Sequence, residues 1–138
     1  MHHAAADYGQ KNMRQVLEAI LAHDRQQNWP AISYHVVYLP RTREVAWVGD
    51  WNTIRYHAAG VPAIGINNVT GIGVCAAVNY EFVDPDQQAI DDLNGIVDWI
   101  VSLLPQRLKT VGHKDVWPTI CPGGGWWTTW KAKVRGTA

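Results

Sequence analysis

The segment Gly112-His113-Lys114-Asp115-Val116-Trp117-Pro118-Thr119-Ile120-Cys121-Pro122-Gly123 carries an imidazole and a thiol in one short loop. Proline and glycine bound this loop, and both residues favour turns over regular elements. Imidazole nitrogen and thiolate sulfur are ligands that zinc favours, and catalytic zinc usually takes three protein ligands. His113 and Cys121 therefore predict a zinc site that needs one more ligand from elsewhere in the chain.

The composition predicts a globular domain. The chain has 138 residues, of which 47% are apolar and 17% charged, with twelve basic and twelve acidic side chains. This balance argues against a nucleic-acid partner bound by bulk electrostatics. No apolar run approaches the roughly 20 residues that span a bilayer, and the N-terminus lacks the basic flank and apolar core of a signal peptide. We expect one domain over residues 1–138, with no membrane partner.

The two cysteines lie in different surroundings. Cys75 lies in the apolar run 71–78, where a cysteine behaves as a small hydrophobic residue. Cys121 lies in the polar loop with His113. We therefore expect two unpaired cysteines with separate roles, rather than one disulfide.

The first half of the chain predicts a helix followed by a β-hairpin. Asp7 and Gln10 have the spacing of a capping box, and the helix after them should end before Trp29-Pro30. Its apolar stripe consists of Met13, Val16, Leu17, Ile20 and Leu21. Residues 32–39 and 44–48 are rich in strand-forming side chains and flank the turn Pro40-Arg41-Thr42-Arg43.

The second half alternates strands and helices. Residues 49–68 predict a long irregular loop, which in a small domain is usually functional, and residues 71–80 predict a central buried strand. Asp84-Pro85 predicts a helix start, with the end at Pro105. Gly95 interrupts that helix and suggests a close contact between helix and sheet.

A short strand at 108–111 should deliver His113. A last short helix should carry Trp126, Trp127, Trp130 and Val134 and stop at Gly136. Mixed strands and helices of this kind predict an α/β sandwich in which helices cover a mixed sheet.

Spacing alone does not identify the third ligand. The six histidines are His2, His3, His23, His35, His57 and His113. His23 lies near a predicted helix end, where a cation is favourable without any functional role. Tyr34 and His35 alternate on a strand and should point to opposite faces, so only one of them can face a given groove.

Five segments of the chain, taken in order, form one recognisable pattern. The first four are His2-His3-Ala4-Ala5, Ser33-Tyr34-His35-Val36-Val37, Trp51-Asn52 with Tyr56-His57-Ala58, and Asn68 with Gly71-Ile72-Gly73-Val74. The last and most specific is Gly112-His113-Lys114-Asp115-Val116 with Thr119 and Cys121-Pro122-Gly123. Together they resemble the zinc-dependent N-acetylmuramoyl-L-alanine amidases of type 2, which share their fold with peptidoglycan recognition proteins. The resemblance implies the α/β fold of that family, a central mixed sheet flanked by helices.

The resemblance also implies roles for individual residues. It implies Zn²⁺ held by His2, His113 and Cys121, with Tyr34 and Thr119 assisting catalysis. It further implies that the substrate-binding residues are His3, Trp51, Asn52 and His57. The chain lacks the glutamate that recycling amidases place near Cys75, which favours the phage-lysin or recognition-protein branch.

Two positions depart from the family pattern. The family's first strand precedes its first ligand, whereas His2 here follows Met1. Either the chain begins inside a longer gene product or this domain does without that strand. The family's threonine after the histidine pair is Ala4 here, which removes one hydroxyl near the site.

The implied activity is hydrolysis of the amide bond between the lactyl group of N-acetylmuramic acid and L-alanine, by a zinc-activated water. The implied partner is bacterial peptidoglycan, and the expected state is a monomer that acts on the cell wall. Release from the cytoplasm as a bacteriolytic phage endolysin, and export by another route as an autolysin or antibacterial toxin, both stay open. Two alternatives to the enzyme are a non-catalytic peptidoglycan-binding module and a structural zinc domain, which would need a fourth ligand.

Overall fold

The computed structural model describes residues 1–58, 68–104 and 107–137. Their regular elements are two long helices, four short strands and three short helical turns. The strands are β1 (His2–His3), β2 (Val36–Leu39), β3 (Glu44–Trp47) and β4 (Val74–Ala76). The long helices are α1 (Met13–Gln26) and α2 (Gln87–Leu103), and the short turns are His113–Asp115, Trp126–Trp130 and Lys131–Lys133.

The four strands form one mixed sheet in the order β1-β4-β2-β3. β4 pairs in parallel with both β1 and β2, whereas β3 pairs antiparallel with β2. All residues of β2 and β4 are buried, as their unbroken apolar sequence predicts. The hairpin between β2 and β3 turns at Arg43, which has a φ of 60°.

Helices cover both faces of this sheet, which confirms the predicted α/β architecture. Helix α1 packs through Val16 and Ile20 on the face that carries Val37 and Leu39. The other face packs against α2 and the C-terminal turns, through a core that includes Val36, Tyr38, Val74, Ala76, Ile90, Leu93, Ile96, Ile100, Trp126 and Trp130. No helix within the described ranges is long and apolar enough to span a bilayer.

Helix α1 begins later than predicted. Its N-cap is Asn12, whose side chain accepts from the Gln15 amide while the Gln15 side chain accepts from the Asn12 amide, so the prediction of a capping box at Asp7 and Gln10 was wrong. Asp7 instead accepts a hydrogen bond from the backbone of Gly9, at 2.8 Å. Gly9 has a φ of +53°, which lies outside the right-handed helical region and ends any helix started at Asp7.

Helix α2 is also capped by a different residue from the one predicted. Asp86, not Asp84, is the N-cap, and its carboxylate accepts from the backbone of Ala89 at 2.8 Å. Pro85 therefore precedes the cap instead of occupying the first helical position. The predicted end at Pro105 lies outside the described residues, and the helix extends to Leu103.

The glycine inside α2 is not needed for a close helix–sheet contact, so that prediction was wrong. A Cβ built on Gly95 meets no atom within 4 Å. Of the predicted irregular loop, residues 49–58 and 68 are irregular, and residues 59–67 lie outside the described part of the chain.

The strands predicted at 32–39, 44–48 and 71–80 are shorter in the structure, and the one predicted at 108–111 does not form. Just before β4 the Gly73 carbonyl accepts from the Val36 amide at 3.1 Å, whereas the Gly73 amide donates to the His35 ring at 3.0 Å. Residues 108–111 form no strand, but the chain runs beside β1: the Met1 amine donates to Val111 at 2.7 Å and the His113 amide to Met1 at 3.0 Å. His113 therefore lies beside the sheet, as predicted, although no strand leads to it.

Candidate metal centre

Three side chains from the two ends of the chain converge beside β1. His2, His113 and Cys121 each offer one ligand atom, and these atoms lie within 4.8 Å of one another. The backbone just before β1 holds the loop in place, because the Met1 carbonyl accepts from the His113 amide at 3.0 Å. The His3 amide in turn donates to Cys121 Sγ at 3.4 Å. These are the three residues that the family resemblance implies as zinc ligands.

The two nitrogen atoms and the sulfur atom of this group are suited to bind a metal ion. His2 Nδ1 lies 3.7 Å from Cys121 Sγ, and the rings of His2 and His113 have centroids 4.7 Å apart. His113 Nε2 is buried and has no hydrogen-bond partner in the described part of the chain. Buried polar atoms are rarely left unpaired, and two imidazoles with a thiol are a set of ligands that suits zinc.

Burial sets the protonation of these groups. It lowers the pKa of His2 well below its ordinary value and that of His113 to about 4, so both rings are neutral at pH 7. It raises the pKa of Cys121 to about 11, so this thiol keeps its proton in the metal-free protein. Because zinc binds the thiolate, loading the site would release that proton.

Asp115 anchors the loop that carries two of the three candidate ligands. Its carboxylate accepts from the Gly112 amide at 2.8 Å, from the indoles of Trp126 and Trp127, and from Lys131 Nζ at 3.0 Å. Burial alone would raise the pKa of Asp115, but these hydrogen bonds outweigh it and lower that pKa. These partners could not be predicted from the sequence, since the indoles lie 11 and 12 positions further along the chain.

Further contacts brace Cys121 within the loop. The Lys114 amide donates to the Cys121 carbonyl at 2.7 Å, and Lys114 Nζ donates to the Gly123 carbonyl at 3.2 Å. The Thr119 hydroxyl accepts from the Cys121 amide at 3.2 Å. Thr119 therefore lies two residues from a candidate ligand and holds its backbone.

Tyr34 lies next to the His2 ring. The two ring centroids are 5.3 Å apart. The Tyr34 hydroxyl is hydrogen-bonded to the Cys75 thiol. Burial, and to a smaller extent Cys75, raises the pKa of Tyr34 well above its ordinary value. The phenol is therefore a neutral hydrogen-bond donor. Cys75 and Cys121 are both free thiols, as predicted.

His57 contacts the candidate ligand directly. Its Nδ1 lies 3.2 Å from His2 Nε2, and its Nε2 lies 2.9 Å from the Gly71 carbonyl oxygen. Burial lowers the pKa of His57 to about 3. His35, the neighbour of Tyr34 in sequence, has both ring nitrogens engaged, by the Thr53 carbonyl and the Gly73 amide.

The other predicted substrate-binding residues fall in two places. Trp51, Asn52 and His57 line a cavity of about 590 Å³ that also reaches His2 and His113. His3 is not among the described residues of that lining. It is buried, its Nδ1 accepts from the Tyr80 amide at 2.8 Å, and successive strand residues point to opposite faces. His3 therefore faces away from the metal-ligand side of β1, and its role in substrate binding stays a prediction.

Comparison of sequences identifies a family. A sequence model described as N-acetylmuramoyl-L-alanine amidase matches residues 1–124. No curated protein matches the chain.

Solved structures of low sequence identity share the fold. An N-acetylmuramoyl-L-alanine amidase, LysC, from Clostridium intestinale URNW superposes with a TM-score of 0.68 at 23% identity, over 88% of this chain and 72% of that one. Drosophila peptidoglycan recognition protein SD superposes with a TM-score of 0.75 at 20% identity, over 99% of this chain and 79% of that one. Human PGRP-IβC in complex with glycosamyl muramyl pentapeptide superposes with a TM-score of 0.76 at 16% identity, over 99% of this chain and 82% of that one. At these identities the likeness establishes the fold alone.

Proposed function

The chain belongs to the N-acetylmuramoyl-L-alanine amidase family, and from this premise we propose that it is a zinc-dependent peptidoglycan amidase. The bond cleaved is the amide between the lactyl group of N-acetylmuramic acid and the L-alanine of the stem peptide. The zinc ligands are His2, His113 and Cys121. The substrate is bacterial peptidoglycan, in line with the muramyl pentapeptide in the complex of the human relative.

The observation that carries this proposal is the convergence of three unlike donors from distant parts of the chain. Their ligand atoms lie within 4.8 Å of one another, and within the described ranges this group has three members. Three protein ligands leave a tetrahedral zinc with one open position, as in catalytic sites, whereas structural sites are closed by four. This count favours hydrolysis over a purely structural zinc.

When bound, zinc would polarise the scissile carbonyl and lower the pKa of a water molecule toward neutrality. The protein's own contribution begins with Tyr34, whose pKa is raised by burial, so that its hydroxyl keeps a proton to donate. That hydroxyl would turn from the Cys75 thiol to the carbonyl oxygen as negative charge develops there. A positioned donor of this kind stabilises the transition state more than the ground state.

Thr119 and the cavity residues have supporting roles. The Thr119 hydroxyl accepts from the Cys121 amide and retains its own proton for a second hydrogen bond. Trp51 and Asn52 line the cavity that reaches His2 and His113, and they offer an apolar face and an amide to the substrate. An aromatic surface beside a few polar groups is typical of ligand sites.

The likeness to peptidoglycan recognition proteins supports a second candidate, a module that binds peptidoglycan without cleaving it. The two functions differ in their products. An amidase releases free stem peptides with a new amino terminus on L-alanine, whereas a binding module leaves the muropeptide intact. The filled set of three candidate ligands favours the amidase.

The experiment is incubation of the zinc-loaded protein with a defined muropeptide, with mass analysis of the products. We expect lactyl–alanine cleavage by the parent protein and by His23→Ala, which removes an exposed histidine remote from the site. We expect none from Cys121→Ala or after treatment with a strong chelator. Binding of intact muropeptide with no cleavage by the loaded parent protein would favour the recognition module instead.

A further inference from the structure

His57 has a role toward the metal centre that is different from contact with substrate. We propose that His57 is a positioning residue, which fixes the tautomer and the orientation of His2 so that His2 Nδ1 faces the metal. This inference rests on the proposed metal site, and it names the residue that prepares one ligand for it. The evidence is a chain of hydrogen bonds that runs from the backbone through two imidazoles.

The first link fixes the proton of the His57 ring. His57 Nε2 lies 2.9 Å from the Gly71 carbonyl oxygen. A carbonyl oxygen can only accept, so Nε2 must carry the hydrogen in this pair. A neutral imidazole carries one N–H, and its other nitrogen is an acceptor. His57 Nδ1 is therefore an acceptor.

The second hydrogen bond in the chain determines the tautomer of His2. His2 Nε2 lies 3.2 Å from His57 Nδ1, and two acceptors facing each other would be repulsive, so His2 Nε2 must be the donor. The remaining nitrogen, His2 Nδ1, then carries a lone pair and no proton. It is the atom that lies 3.7 Å from Cys121 Sγ, on the side where the candidate ligands meet. The wrong tautomer would direct an N–H at the metal position.

The surroundings hold the His57 ring in this pose. A Cβ built on Gly73 would lie 2.6 Å from His57 Cγ, so the ring rests against bare backbone at that position. The next residue is fixed as well, because the Ala58 amide donates to Asn68 Oδ1 at 2.6 Å. His57 is 7% exposed and packs edge-on against His2, with centroids 5.2 Å apart. A ring with so little freedom can orient a ligand, as outer partners of metal-bound histidines generally do.

The first test measures zinc affinity by competition with a chromogenic chelator. His57→Leu keeps an apolar side chain in the space but removes the acceptor, and we expect it to bind zinc about 10- to 100-fold more weakly, the usual effect of losing such a partner. His57→Asn places an amide oxygen near the position of Nδ1 and should recover most of the affinity. His23→Ala is the control and should bind as the parent does. Equal affinity of His57→Leu and the parent would overturn the inference.

The second test reads the tautomer directly and needs no metal. Long-range ¹H–¹⁵N correlation spectra of the metal-free protein distinguish a protonated Nε2 from a protonated Nδ1. We expect the proton of His2 on Nε2 in the parent protein, and a mixture of tautomers in His57→Leu. A His2 ring protonated at Nδ1 in the parent would contradict the inference, even if His57→Leu lowers affinity through a packing defect.

These outcomes are separable from failure of the proposed function. If the parent protein binds no zinc, the proposed metal site is wrong. A parent that binds zinc and cleaves muropeptide, with an unchanged affinity in His57→Leu, removes only the positioning role of His57.

Discussion

His2 Nδ1 lies 3.7 Å from Cys121 Sγ, although the two residues are 119 positions apart in sequence. The backbone makes this approach possible, because β1 and the loop that follows residue 112 are joined through Met1, His113 and the amide of His3. The candidate centre therefore depends on the tertiary fold, and each ligand lies beside groups that position it.

Tyr34 should contribute to turnover and not to metal binding. Its phenol is a protonated donor beside His2, and Tyr34→Phe removes the hydroxyl while keeping the ring. We expect kcat for muropeptide cleavage to fall by about 10²- to 10³-fold, as for other single donors to a developing oxyanion, with zinc affinity unchanged. Steady-state kinetics together with chelator competition would check this. An unchanged kcat would remove Tyr34 from the catalytic set.

The metal-free protein should lose stability in mild acid. Burial lowers the pKa of His3 from 6.5 to about 4, so between these values the unfolded chain binds a proton that the folded chain does not. Stability is therefore complete above pH 6.5 and falls as the pH drops toward 4, by up to about 1.4 kcal/mol per pH unit for each such histidine. His57 and His113 shift in the same direction.

Urea unfolding in the presence of a chelator, at several pH values between 4 and 6.5, measures how steeply the free energy of unfolding changes with pH. His3→Asn keeps an acceptor for the Tyr80 amide but cannot titrate, so its slope should be shallower than that of the parent. A slope in His3→Asn as steep as in the parent would show that His3 does not contribute.

The Asp115 carboxylate should be important for the stability of the C-terminal region. Asp115→Asn replaces one acceptor oxygen by a donor and leaves Lys131 and an indole without a partner. We expect a loss of about 2 kcal/mol or more in the free energy of unfolding, since hydrogen bonds to charged groups are worth about 1.5–3 kcal/mol. Asp91→Asn, on the exposed side of α2, is a matched control that should change stability by less than about 0.5 kcal/mol. Similar unfolding curves for both variants would argue against the anchor.

Much of the framework can be predicted from local sequence, as the hairpin illustrates. The strand-forming residues on either side of Arg43 predict two strands, and β2 and β3 form there. The apolar run around Cys75 likewise predicts the buried central strand β4. In both cases side-chain periodicity and turn chemistry act over a few residues, so the pattern is complete within the segment.

Features that depend on distant partners could not be predicted in the same way. His2 is one of six histidines, and only the family resemblance singled it out, because its partners are 55 and 119 positions away. The anchoring of Asp115 by Trp126 and Trp127 gave no local signal. Competing caps are a different case: Asp7 and Asn12 both have the right chemistry, and the φ of Gly9 decided between them.

Gly95 should be replaceable with a gain in stability. A glycine inside a helix costs about 1 kcal/mol relative to alanine, and a Cβ at Gly95 meets no atom within 4 Å. We therefore expect Gly95→Ala to raise the free energy of unfolding by about 0.5–1 kcal/mol. Gly112→Ala is the contrasting variant, because its Cβ would lie 2.5 Å from the Trp126 ring. Destabilisation by Gly95→Ala would indicate a contact that the packing of α2 does not reveal.

The most direct test of the central claim is the zinc content of the protein after equilibrium dialysis against a low concentration of free zinc. The parent protein should retain one zinc ion per chain. His113→Ala and Cys121→Ala should retain none, because each removes a donor from a group of three. Retention of zinc by Cys121→Ala at the level of the parent, or its absence from the parent itself, would contradict a metal centre built from His2, His113 and Cys121.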